Sequence, residues 1–159
     1  MQGRAFGAAL CALILSACDN SRIYETNKDF TERTWKAADT ALFIFNIKDP
    51  GRYNLLYTVR NSLDYPYSRL FVTYQLQDST GKKLEKKLVS GYLFEEKTGR
   101  PTGDSGLGDL YDHRFPLINN YQFQQPGKYR LTLQQFMRTD TLEGVLAVGV
   151  RVEKSEQQK

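Results

Sequence analysis

Histidine, tryptophan and cysteine are scarce in this sequence of 159 residues, which holds one, one and two of them. A lone histidine, His113, is more often a satisfied side chain on a sheet face than a metal ligand. Of the cysteines, Cys11 falls inside an apolar N-terminal run and Cys18 ends it. No pair is left for a structural disulfide, even in an oxidising compartment. An apolar stretch of roughly 20 residues, the length a spanning helix needs, is missing too. Charge of one sign is nowhere concentrated. The formal net charge is +4, and the most basic run, KKLEKK over residues 82–87, is broken by Glu85. That fits the solvated face of a strand and not the clustered basic surface that nucleic acid requires. No segment sustains a helical hydrophobic period with caps.

What is present begins with MQGRAFGAALCALILSAC. Arg4 and the amino terminus make a short positive region. The run from Ala5 to Leu15 is apolar or small throughout, the build of a secretory signal peptide. It closes on Leu15-Ser16-Ala17-Cys18, which resembles the bacterial lipobox, where the cysteine takes a diacylglyceryl group before cleavage. A thiolate is a far better nucleophile than a hydroxyl, which is why that position must be cysteine. Residues 1–17 are therefore expected to be a lipoprotein signal peptide, with Cys18 as the lipid attachment and membrane anchor. Two or three acyl chains, at about 0.8 kcal/mol per buried methylene, make such an anchor effectively permanent. Residues 18–34 are polar with scattered apolar positions. They read as a tether, with a short edge strand at Ile23 to Glu25.

From Trp35, expected to pack at the start of a core, the hydrophobic period is two. Ala41, Phe43, Phe45 and Ile47 alternate to one side, as do Tyr53, Leu55, Tyr57 and Val59, and then Leu70, Val72, Tyr74 and Leu76. Asp49-Pro50-Gly51 marks a turn and DSTGK a hairpin. Leu84 and Leu88 lie on a charged strand that suits an edge. Tyr129, Leu131 and Leu133 follow, and Leu146, Val148, Val150 and Val152 close the series. The spacing predicts one all-β domain over residues 35–154. Its form is an antiparallel β-sandwich of two facing sheets, with a jelly-roll order as the expectation within that class. Residues 155–159 are expected to fray as a disordered tail.

The glycine-rich loop KTGRPTGDSGLGDL is long enough to be functional or covering. Its GDSG resembles a serine-protease nucleophile signature only shallowly, since a serine nucleophile needs a positioned base and a third group to orient it. Ser105 precedes the single histidine, so a glycine-rich turn is the better reading. Asp104, Asp109, Asp112 and His113 offer calcium ligands but lack the EF-hand order. No catalytic constellation, metal or cofactor is expected.

In NSLDYPYSRLF, over residues 61–71, Pro66 pushes Tyr65 into extended angles and removes a backbone donor. The segment reads as a stiff connection whose tyrosines close the end of the sandwich. A sugar-stacking role is the alternative, with Tyr65, Tyr67, Tyr111 and Tyr121 as the candidate binding rings for a surface or nutrient glycan. Several stretches also carry a resemblance. They are the lipobox at Cys18, RIYE from Arg22, RNSLDYPYSRLF from Arg60, SGLGDLYDHRFPL from Ser105, PGKY from Pro126, QQFMR from Gln134 and LEGVLAVGVRVEK from Leu142. In that order they resemble the gliding motility lipoprotein family GldH of Bacteroidota. The resemblance implies a non-enzymatic, lipid-anchored envelope protein that serves surface gliding and the linked type IX secretion machinery. Its partners would be other envelope proteins, and nucleic acid is not among them. Cys18 is the only functional residue it carries over. Asp19 would mean inner-membrane retention under the enterobacterial sorting rule. In this phylum outer-membrane lipoproteins often carry acidic residues there, so the outer membrane is the expected site.

Overall fold

The computed structural model describes residues 21–155. The expected signal peptide, Cys18 and residues 156–159 of the expected tail lie outside the described residues. The strands are β1 (Arg22–Asp29), β2 (Thr34–Lys36), β3 (Ala41–Ile47), β4 (Gly51–Ser62), β5 (Arg69–Gln77) and β6 (Lys83–Tyr92). They continue as β7 (Asp104–Ser105), β8 (Leu110–Phe123), β9 (Gly127–Gln135), β10 (Thr141–Glu143) and β11 (Val145–Lys154). One sheet has the order β1-β11-β4-β8-β7 and the other β3-β9-β5-β6, while β10 and β2 form a separate two-stranded ribbon. Every paired register is antiparallel. Leaving out the short strands β2, β7 and β10, each strand is followed by one in the opposite sheet, except at the β5–β6 hairpin. This is the jelly-roll order, two sheets closed by Greek-key crossings.

The period-two pattern decides which side faces inward. Phe43, Phe45, Ile47, Leu55, Tyr57, Val59, Val72, Tyr74, Leu131 and Leu133 are all buried between the sheets. In the β5–β6 hairpin the Asp78 carboxylate accepts from the backbone N–H of Thr80 at 2.9 Å and of Lys82 at 3.0 Å, the expected turn chemistry. β6 lies at a sheet edge with Leu88 exposed, as its charged sequence indicated. Trp35, on β2, is fully buried and stacked on Phe30 at 5.2 Å.

Three expectations need correction. The edge strand expected at Ile23 to Glu25 is present but longer: β1 pairs with β11 from Arg22 to Asp29, so the segment read as a tether is ordered well before Trp35. Only Tyr24 and Lys28 of β1 are better than exposed. The strand is held by its ladder and most of it hides from a hydrophobicity reading. Leu146 is only half-buried, while Val145 and Ala147 are buried. A bulge between Val145 and Ala147 shifts the register there, and one extra residue exchanges the two faces. Finally, Ser155 at the start of the expected tail is tied in, its N–H donating to the Arg52 carbonyl at 3.0 Å.

A recurrent device fixes the connections. Tyr53 donates its hydroxyl to the Asp49 carbonyl at 2.8 Å, Tyr65 to Arg69 at 3.1 Å and Tyr129 to Gln125 at 2.8 Å. The Trp35 indole donates to Asp39 at 2.8 Å, and the Gln135 amide to Thr139 at 2.9 Å. Each bond spans four residues and ties a buried side chain to the loop beside its strand, much as a tyrosine corner does in immunoglobulin folds. The strands run between two poles. The pole where β1 begins also holds the turn at 48–50, the β5–β6 hairpin and the connection at 124–126. The opposite pole gathers the loops 30–40, 63–68, 93–109 and 136–144.

Candidate functional site

Residues that could carry chemistry are dispersed. Ser105 is exposed on β7 opposite Tyr111. His113 faces inward and is 6% exposed, with its ring stacked on Phe115 at 5.7 Å and its Nδ1 3.5 Å from the Thr102 hydroxyl. Burial holds the imidazole below its ordinary range, although Asp112 and Asp104 pull the other way. A side chain at Gly103 would strike the ring, which explains the glycine there. Two of the three aspartates singled out in the sequence are held in ion pairs, and the third, Asp104, is exposed. Asp112 takes both nitrogens of a forked Arg60 contact at 2.8 and 3.0 Å, and Asp109 pairs with Arg33 at 3.3 Å. Among the described residues no group of three potential metal ligands forms.

On the outer face of the β1 sheet, Glu25 lies among Arg22, Arg151 and Arg114, at 2.6, 3.2 and 3.7 Å. Burial alone would raise this carboxyl, but the three guanidiniums outweigh it and hold the group below the usual carboxylate range. The cluster knits β1 to β11 and β8. Beside it the Thr58 hydroxyl donates to Asn27 at 3.1 Å across Gly149 of β11.

The four candidate tyrosines do not form a platform. Tyr65 is 4% exposed and stacks on Phe94, whereas Tyr67 is 44% exposed and meets Tyr65 edge-on at 76°. Tyr111 is half-buried at the end of β8 near them, and Tyr121 is half-buried on Phe123 at the opposite pole. No two of these rings are both exposed and coplanar, so the sugar-stacking site is not assembled from them. The expectation that both tyrosines of the YPY stretch close the sandwich holds for Tyr65 alone.

Instead, the pole away from the start of β1 carries a crown of exposed apolar side chains that the sequence reading did not gather. Leu107 is 90% exposed, Phe136 64%, and Leu63 and Tyr67 are also exposed. Their backbones are fixed. Phe136 N–H donates to the Phe71 carbonyl at 2.8 Å, Leu63 N–H to Asp109 at 3.2 Å, and Gly106 N–H to Leu110 at 2.8 Å. The Gln135 side-chain amide oxygen Oε1 accepts from Met137 N–H at 2.7 Å. Beside Phe136, the Arg69 guanidinium lies 5.0 Å from the Phe71 ring and 4.8 Å from Tyr92. Rigid aromatic and arginine side chains presented together are the makings of an interaction hot spot. The signal available beforehand was that three separate motifs, around Tyr67, Leu107 and Phe136, all fall in loops of one pole.

A family model described as GldH lipoprotein matches residues 22–152. A gliding motility lipoprotein GldH homolog of Christiangramia forsetii is 31% identical over 155 residues, covering 91% of each chain. The gliding motility lipoprotein GldH of Flavobacterium johnsoniae is 24% identical over 155 residues, covering 92% of this chain and 94% of that one. Among solved structures, infectious bursal disease virus of the Gx strain aligns with a TM-score of 0.47 at 14% identity, over 98% of this chain and 38% of the viral one. The VP2 subviral particle of that virus aligns at 0.44, also at 14% identity, over 94% of this chain and 37% of the other.

Proposed function

The chain belongs to the GldH lipoprotein family, and on that premise we propose that it is a non-enzymatic adaptor of the outer membrane, anchored through lipid on Cys18 and binding envelope proteins of the gliding and secretion machinery. The observation that carries this reading is the crown of Leu63, Tyr67, Leu107 and Phe136, apolar yet held in fixed loops at the pole opposite β1. A lipid anchor at Cys18 leads into the other pole, so the crown points away from the membrane. A protein with Ser105 exposed, His113 buried and no reactive pair between them has contact, not chemistry, as its means of action.

The test is complementation of a strain lacking the gene, scored for colony spreading and for protein secretion. Leu107→Asp combined with Phe136→Asp should abolish complementation while the protein still accumulates in the membrane fraction with its melting temperature unchanged. Full complementation by that double variant would overturn the crown as the working surface. Ser105→Ala and His113→Gln should complement, and failure of both at unchanged stability would restore an enzymatic reading.

A further inference from the structure

Charge is divided between the two poles in a way the overall balance conceals. The loops 30–40, 63–68, 93–109 and 136–144 at the crown pole carry nine carboxylates and five basic side chains. At the pole where β1 begins, segments 21–22, 48–52, 78–83, 124–128 and 153–155 carry seven basic side chains and three carboxylates. Two of those carboxylates are neutralised locally, since Asp49 pairs with Lys154 at 3.3 Å and Glu153 with Arg151 at 2.7 Å. Lys48, Arg52, Lys82, Lys83 and Lys128 are exposed and enter no ion pair among the described residues. They come from different connections, so the surplus covers the end of the sandwich and is not confined to one loop.

The chain length beyond the described residues says what this end faces. Ser21 already accepts a backbone hydrogen bond from Lys154, at 2.8 Å. Cys18 is three residues earlier, and three residues span about 10 Å at full extension. A lipid on Cys18 therefore holds this pole within about one Debye length of the headgroups, where exposed charges act on one another with little screening. We infer that the pole formed by Lys48, Arg52, Lys82, Lys83 and Lys128 is a second membrane contact, a seat for anionic lipid headgroups that sets the sandwich upright on the bilayer. The inference rests on lipidation of Cys18. The acidic crown pole is repelled by the same surface, so charge at both ends favours one orientation.

The experiment uses the full lipidated chain in two kinds of vesicle, phosphatidylcholine alone and phosphatidylcholine with phosphatidylglycerol. Lysines are acylated with a water-soluble reagent and their rates read by mass spectrometry. On the anionic vesicles Lys48, Lys82 and Lys128 should react more slowly by about fivefold, the weight of one basic side chain at an anionic surface, and recover in high salt. Lys36 and Lys97, at the crown pole, should react equally on both. The charge-reversed chain with Lys48→Glu, Lys82→Glu and Lys128→Glu alters exposed positions only. Of the lysines left at that pole, Lys83, which enters no ion pair among the described residues, should lose its sensitivity to lipid composition. Equal rates on both vesicles, or slowing at Lys36 and Lys97 as well, would overturn the seat while leaving the anchor intact. The same spectra weigh the N-terminal peptide. A chain with no lipid on Cys18 would remove the anchor and this inference together.

Discussion

Tyr65 and Tyr67 are two residues apart, yet one is buried and the other exposed. The division follows from Pro66. With its φ fixed and its N–H absent, the segment cannot continue the alternation of β4. Tyr65 turns back so that its hydroxyl reaches the Arg69 carbonyl, and burial raises that phenol well above its ordinary range. Gly144, at a φ of +75°, lies against the Tyr65 backbone, where a β-carbon would fall 2.4 Å from its nitrogen. Tyr65→Ala should then cost about 3 kcal/mol in urea melts, the scale of aromatic truncation in a core. Tyr65→Phe, which removes only the hydrogen bond, should cost about 1 kcal/mol, and Tyr67→Ala should stay within about 0.5 kcal/mol, as surface changes do. A loss at Tyr67 equal to that at Tyr65 would contradict the division. His113 adds a pH dependence. Its folded-state affinity for a proton lies below the ordinary 6.5 because of burial. The contribution of the neutral ring is complete above that value and is lost as pH falls through the lower folded value. The urea midpoint should decline below pH 6.5 in the parent, and less steeply in His113→Gln. Residue identity announced the proline and its stiffness but not which ring would be inside, because that depends on Gly144, almost eighty positions away.

The elements were legible in proportion to their apolar alternation. β3, β4, β5 and β9 could be marked position by position, since each buries one complete face. β1 could be marked only at Ile23 to Glu25, because it lies at a sheet edge and its burial pattern is mostly exposed. Its place is fixed by backbone pairing to β11 and by polar side chains that cross Gly149, neither of which leaves a hydrophobic signature. A β-carbon at Gly149 would fall 1.9 Å from the Asn27 carboxamide oxygen and 2.5 Å from the Thr58 hydroxyl. Gly149→Val should therefore destabilise by about 1–3 kcal/mol, the range for overpacking. In hydrogen exchange β1 amides should lose protection before those of β4. Uniform loss across both strands would mean that β1 is no weaker than the rest. The crown was illegible for a further reason. Its members come from loops, where no period applies, and only the three-dimensional meeting of those loops reveals them.

For the molecule as a whole, the proposed anchor and the proposed working surface lie at opposite ends, which would make position as important as affinity. Cys18→Ala should leave the domain folded but release it from the membrane fraction or leave it unprocessed, which fractionation with labelled fatty acid would show. A variant that still pellets, from a parent carrying no lipid, would remove the anchor. The fold class followed from spacing and turn chemistry, while the jelly-roll order was an expectation within that class that the strand pairing supplies. The polar division of charge did not, because successive connections in the sequence fall at opposite poles as each strand crosses the sandwich.

The pairing of β1 with β11 has a mechanical consequence. Arg22 lies opposite Glu153, so the first and last strands end at the same pole and run antiparallel. A load applied between the membrane and the crown pulls along the strand axes, and the β1–β11 ladder then resists in shear with its hydrogen bonds strained together. A load that separates the two chain ends instead opens the same ladder one pair at a time, like a zipper. Single-molecule pulling from the N-terminus should give a markedly higher rupture force with the second handle at Phe136 than with it at Ser155. Under the proposed attachment, tension would run along the direction in which the β1–β11 ladder is strongest.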